Sequence, residues 1–488
     1  MKKRKIGLMT LTAFCIGDTI GSGIFATLPE GISRIGSGVI YAWIATILFT
    51  IIISIPSLIP STVLPCPSSS YTLSCRLISP YIGFLEIVSV INYITILAFL
   101  GTFFGSYLEI VFPNAPKNLV SIGIILLMWI INLFGVESGT KLQNLIVLVL
   151  MVSFCAYIVS GSAYIHTNHL AVSGMLAPGK MKIEAFAVVV GLFYNCMGGC
   201  FTQCLVLSNE VKNPEKNLIR SGCITAIFVG SLLGLMSIVT FGITGKSNSI
   251  ESLGTLAKQF MPAGLWYLFI IGGAWGAMLS TMNAVILSVG YRLDTMAEDG
   301  IFPAFFNKKS RFGTKPVCLT LPVAIAIIVI VLDIPLFSLI AINTVLCIMA
   351  AVLRLLPVLT LNKKYPHTYK RAVIRLPQKL CYVWVALAAV ICIGISISTI
   401  VSTKGTIWWA ILCVLCMLYL YLLLRIKYLK SRGYDLIEKM SQPYEEWEER
   451  EQRYKMEDLD SNEEEKVTAE RMVPHPSQRR YAYGETES

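Results

Sequence analysis

The sequence predicts an all-α polytopic membrane protein of about twelve transmembrane helices, the first and sixth interrupted. Three observations lead there. Of 488 residues, 55% are hydrophobic and only 14% charged, against about 25% charged in a soluble domain. That is too little charge to solvate a surface of this size, so lipid is the expected solvent for most of the chain. The apolar residues fall into about twelve stretches, each close to the ~20 residues that a hydrocarbon core about 30 Å thick requires. With an inward N-terminus, twelve crossings put 23 of the 30 Lys and Arg residues before 429 on the inner side and seven on the outer. The positive-inside rule therefore supports count and orientation together.

The stretches lie near 7–29, 38–60, 81–112, 118–135, 142–162, 183–208, 219–245, 262–290, 317–333, 335–361, 380–401 and 405–428. Met1-Lys-Lys-Arg-Lys5 has the flank of a signal peptide. No small-x-small site closes the apolar run, so it reads as the first span. Asp333-Ile-Pro335 divides the ninth from the tenth, because proline ends a helix. Residues 1–428 form the membrane domain. The segment 429–488 is another regime, holding 16 of the 29 acids and 10 of the 40 bases, so the body carries +17 and the tail −6. Interleaved charges without an apolar stripe read as a short solvated helix followed by disorder, with a cytoplasmic plug or partner-binding segment as the alternative. Both termini are expected in the cytoplasm and the protein in the plasma membrane.

Several chemistries are poorly served. The fourteen cysteines lie mostly inside apolar stretches, so loop disulfides are not expected. Four histidines without metal-ligand spacing give no metal site, and no cofactor or nucleic-acid partner is expected. No Gly-x-x-x-x-Gly-Lys-Ser/Thr loop binds nucleotide. Thirteen acids over 428 residues, mostly at loops and ends, do not make a membrane enzyme.

The chemistry concentrates at two interruptions. Span one contains Gly17-Asp-Thr-Ile-Gly-Ser-Gly-Ile-Phe25, and span six Phe193-Tyr-Asn-Cys-Met-Gly-Gly-Cys200. Glycine weakens a helix, and unwound backbone at membrane depth is tolerated where it lines a protein cavity. Freed N–H groups suit a carboxylate; close packing by small residues is the competing reading. Two interrupted spans, each opening a five-span block, form the pattern of an inverted-repeat transporter with its site at the midplane. Cys196, Cys200 and Cys204 recur every four residues and read as small packing residues.

From about Lys5 to Tyr428 the chain resembles the amino acid permeases of the amino acid–polyamine–organocation superfamily. The likeness rests on Ile20-Gly-Ser-Gly-Ile-Phe25, Asn209-Glu-Val-Lys-Asn-Pro-Glu-Lys-Asn217 and Met296-Ala-Glu-Asp-Gly-Ile-Phe-Pro303, with Thr314-Lys-Pro316, Tyr365-Pro366, Tyr369-Lys-Arg371 and Leu376-Pro377 in support. It implies a five-plus-five, LeuT-type inverted repeat, with repeat one about 7–162, repeat two about 183–361 and extra helices about 380–428. It also implies secondary transport of amino acids by alternating access. The substrate carboxylate would meet Gly21, Ser22 and Gly23. Its amino group would meet carbonyls of Thr19 or Ile20 and of the stretch from Cys196 through Gly198 and Gly199.

Three departures qualify the likeness. The span-six aromatics of many relatives fall on Cys196 and Gly198, which leaves Tyr194 as the candidate gate. The acid expected in span two is missing from Ile59-Pro-Ser-Thr-Val-Leu-Pro65. The span-five lysine of several proton-linked relatives is replaced by the apolar Asn144–Leu150 stretch. Asp18 then becomes the candidate coupling or cation-attracting residue, since an intramembrane acid is a functional candidate by default. Hydrogen bonding into a cytoplasmic vestibule is its competing reading.

Ser280 and Thr281 could offer oxygens to sodium or bond back to their own helix. Glu86 and Glu109 are expected to reach the interface. Glu210, Lys212, Lys216, Arg220 and Asp299 are read as a solvated charged face. A polyamine or amine antiporter and an amino acid sensor are the rival functions. The loop Phe112–Lys117 lacks a cysteine for a disulfide-linked heavy chain, so a monomer or homodimer is expected.

Overall fold

The computed structural model describes residues 6–20, 23–134, 136–166, 169, 183–245, 252–403 and 405–472. Among these the architecture is helical, and the sole extended pairing is a bridge between Ile6 and Val211. Eight helices are long and apolar enough to cross a membrane, and two bent pairs raise the number to ten. The bent pairs are Leu8–Thr19 with Gly23–Ile35 and Ile183–Met197 with Gly199–Val206, turning through 46° and 43°. Two shorter apolar helices, Lys117–Leu133 and Pro316–Val331, occupy the fourth and ninth stretches. Each predicted stretch is therefore helical, and spans one and six are the ones that break.

Some boundaries move for local reasons. Span seven begins at Pro214, five residues early, because Asn213 takes a left-handed conformation (φ 47°) and proline sits at the first helical turn. Span eight runs on to Glu298 and contains a π-helical segment, Phe269–Trp275.

Two of the motifs are structural staples. The backbone N–H of Lys212 donates to Ile6 O (2.8 Å) and that of Ile6 to Glu210 O (3.1 Å), tying the N-terminal segment to the loop after span six. In the other motif Asp299 accepts from the Tyr71 hydroxyl (2.7 Å) and pairs with Arg76 (3.2 Å), and it is only 5% exposed. The solvated role expected for Asp299 is thus overturned; the loop after span two folds back and encloses it.

The tail also departs from expectation. It forms Leu436–Ser441 and a 28-residue helix, Glu445–Met472, docked against the bundle. Leu436, Met440 and Trp447 are buried. Arg450 donates to Val63 O (3.1 Å), and Glu451 accepts from the backbone N–H groups of His367 (2.9 Å) and Thr368 (2.8 Å). Arg371 pairs with Glu457 (3.0 Å) and Asp458 (3.1 Å). A few apolar anchors and many polar contacts hold the helix, so no stripe announces it. The disorder expected beyond it falls on residues 473–488, outside the described residues.

Candidate functional site

The first half of span one ends at Thr19, and its last carbonyls have no partner farther along the helix. Span eight supplies one: the hydroxyls of Ser280 and Thr281 both donate to Gly17 O, each at 3.1 Å. These hydroxyls therefore bond across to the broken end of span one, where one of the two readings put oxygens for sodium. The fold thus brings Gly17, Ser280 and Thr281 together, with both hydroxyls on one carbonyl.

The two broken spans meet through their backbones. A Cβ on Gly199 would lie 2.8 Å from Asp18 C and Thr19 N, and one on Gly23 would lie 2.6 Å from Cys196 Sγ. Gly198 sits at the bend with helical dihedrals, its N–H donating to Tyr194 O (2.8 Å), and a Cβ there would meet Cys347 Sγ at 3.3 Å. The thiols spaced four apart all face span one. Cys196 lies 3.3 Å from Thr27 Oγ1, Cys200 3.6 Å from Thr19 Oγ1 and Cys204 3.6 Å from Cys15 Sγ. Small side chains on span six thus let the two interrupted helices run antiparallel in close contact.

Of the residues assigned to substrate, Thr19, Ile20, Gly23, Cys196, Gly198 and Gly199 are gathered at this junction. Gly21 and Ser22 lie outside the described residues. Asp18 is half-buried, facing Gln203 of span six and Arg292 of span eight, and Gln203 continues to Ser288 (2.7 Å). Tyr194 is buried edge-on to Phe49 of span two (4.9 Å between centroids), while Phe193 stacks on Trp43 (4.3 Å). Phe193 also packs on Gly31 in the second half of span one, and Phe25 of that half meets Tyr107, Phe154 and Phe269 at 5.5–5.7 Å.

Toward the tail from the junction lies a buried charged network that sequence reasoning missed. Glu86, expected at the interface, is fully buried, with Arg292 Nη1 at 3.7 Å from its Oε2. Arg292 also donates to Ser70 Oγ (2.8 Å) and lies over the Tyr93 ring (5.4 Å). Arg354 donates to Thr202 Oγ1 (3.1 Å) and Ala350 O (3.1 Å). Arg76, Arg292 and Arg354 were counted as inner loop charge, yet each is at most 9% exposed. The available signal was an arginine or glutamate abutting an apolar run; its position near a helix end made an interfacial reading the natural one.

A bundle of apolar helices with two broken spans in backbone contact is the architecture of a polytopic membrane transporter. Comparison of sequences gives the family: residues 6–422 match the amino acid permease model. The chain belongs to that family, within the amino acid–polyamine–organocation superfamily. It is 27% identical over 333 residues to an uncharacterized protein of Methanocaldococcus jannaschii, covering 64% of this chain and 73% of that one. It is 22% identical over 310 residues to uncharacterized transporters of Mycobacterium bovis and Mycobacterium tuberculosis, covering 62% of this chain and 67% of each. The protein is accordingly a membrane transporter of the amino acid permease type.

Proposed function

We propose that the chain is a secondary active transporter of amino acids working by alternating access. The observation that carries this reading is the contact of Gly199 with Asp18 and Thr19, which places two broken helices together at one point. Broken ends offer unpaired donors and acceptors in the same place, as a zwitterion requires. Gly21, Ser22 and Gly23 are assigned the carboxylate, and carbonyls of Thr19, Ile20 and the Cys196–Gly199 stretch the ammonium group. Asp18 is assigned a coupling role. It faces Gln203 of span six and Arg292 of span eight. The asymmetry of 23 inner against seven outer bases supports termini on the cytoplasmic side of a plasma membrane.

Proteoliposomes loaded with unlabelled amino acids are expected to accumulate a labelled one by counterflow, chemically unchanged. Saturable binding without counterflow would instead make the chain a sensor. Repeating the assay with empty vesicles under a pH or sodium gradient separates an exchanger from a symporter.

The capping of Gly17 O gives a graded test. Ser280→Ala or Thr281→Ala leaves one hydroxyl on that carbonyl, and either single variant is expected to keep most of the counterflow rate. The double variant strands a buried acceptor, at a cost of about 1–3 kcal/mol. A loss on the order of tenfold is expected, and additive small effects in the double would show that the cap is unimportant. Sodium dependence lost together with the rate would assign these oxygens to the ion.

A further inference from the structure

A cavity of about 570 Å³ opens where the tail meets the bundle, within the roughly 300–1,000 Å³ of small-molecule sites. Its walls are the loop after span two, the loop after span six and the tail from Lys439 to Trp447. We propose that this cavity is a second amino acid site, distinct from the junction of spans one and six, which binds a zwitterion and holds the tail docked. The proposal rests on the transport reading above and on its placement of the tail inside the cell.

Charge is laid out in it at two signs. Arg76 and Lys439 are its cations, and Glu445 and Glu446 its carboxylates. Arg76 is only 8% exposed and firmly held. Its Nε donates to Gln442 O (2.9 Å), its Nη2 pairs with Asp299 (3.2 Å) and its guanidinium lies over the Tyr444 ring (4.7 Å). Its Nη1 is buried and has no hydrogen-bond partner among the described residues. A fixed guanidinium in the cavity wall suits a carboxylate far better than a mobile surface lysine does. Lys439, Glu445 and Glu446 are exposed rim charges, which select the sign of a ligand more than they add affinity. Tyr444 and Trp447, their ring centroids 5.0 Å apart, supply an apolar wall for a side chain.

Half of this site is tail, so it is complete only while the tail is docked. Ligand bound there stabilises the docked state by mass action. The docked helix reaches from Val63 O at the end of span two to the His367–Arg371 turn between spans ten and eleven. Occupancy therefore ties span two to that turn and restrains any transport step that separates them, so internal amino acid slows further uptake.

The test uses the purified full-length chain and the fluorescence of Trp447, isolated by comparison with Trp447→Phe. L-alanine, L-leucine, L-glutamate and L-lysine are titrated singly, with acetate and methylamine as half-ligands. At least one amino acid is expected to give a saturable change that is absent from Trp447→Phe. Its apparent affinity should fall severalfold in Lys439→Ala/Glu446→Gln, which alters only rim positions. In counterflow, where internal amino acid also drives the exchange, raising its internal concentration should make the initial rate of the parent pass through a maximum and fall, while that of the double variant rises to a plateau. A response to none of the four, an equal response to acetate alone, or an unchanged affinity in the double variant overturns the proposal. Gly199→Ala should keep the Trp447 response. A chain that retained the response but carried no amino acid in counterflow would sink the transport reading and leave the tail site standing.

Discussion

Gly199→Ala is expected to cut counterflow severely in protein that still folds and reconstitutes. The new methyl group would lie 2.8 Å from Asp18 C and Thr19 N and 2.9 Å from Asp18 O. These are backbone atoms, so no side chain can rotate away and spans one and six must part. Overpacking of this kind costs about 1–3 kcal/mol. A penalty falling on the state that assembles the site lowers the rate by about tenfold for each 1.36 kcal/mol, so a drop of roughly ten- to a hundredfold is expected. Gly198→Ala is the control: its methyl meets Cys347 Sγ at 3.3 Å, which can turn aside, and backbone only at the ordinary contact distances of 3.5 and 3.9 Å, so it should retain most of the rate. Gly23→Ala supplies a rescue. The clash there is with Cys196 Sγ at 2.6 Å, so Gly23→Ala should be inactive and Gly23→Ala/Cys196→Ala largely restored. The measurement is initial counterflow per reconstituted protein, and near-parental transport by Gly199→Ala would refute the backbone-contact account.

These glycines also mark how far the sequence could be read. The two breaks were legible because glycine and polar residues inside a 20-residue apolar run have few explanations at membrane depth. The pairing of Cys196, Cys200 and Cys204 with span one was half legible, since a four-residue period gives a face but not its partner. The capping of Gly17 O by Ser280 and Thr281 was harder to read, because a hydroxyl can bond to its own helix or to another with equal ease. Glu86 and Arg292 were misread for a plainer reason. A charge near a helix end is interfacial when the helix ends at the interface, and only the packed bundle shows that the loop bearing Ser70 covers both of them. The tail was missed because its anchors, Met440, Tyr444 and Trp447, are too few to make a periodic stripe.

The same covered pair supplies the second large effect: Glu86→Gln is expected to destabilise the bundle severely. Arg292 is 1% exposed, and its Nε and Nη2 find no hydrogen-bond partner among the described residues. The carboxylates facing it are Glu86 at 3.7 Å and Asp18. Breaking a buried pair by removing one partner costs about 3–5 kcal/mol, because the survivor keeps its desolvation penalty without its counter-charge. Asp18 offsets part of that, which places the expectation near the lower end, about 3 kcal/mol. Glu86→Gln/Arg292→Gln should be less damaging than the sum of its single variants, since the double removes both charges together. Glu109→Gln, in the same span but exposed, should leave the thermal midpoint in detergent unchanged. A midpoint for Glu86→Gln equal to that of Glu109→Gln would mean that the pair contributes nothing. A midpoint that falls in both single variants and recovers in the double would establish that the pair is held by mutual neutralisation at the packed end of spans three and eight.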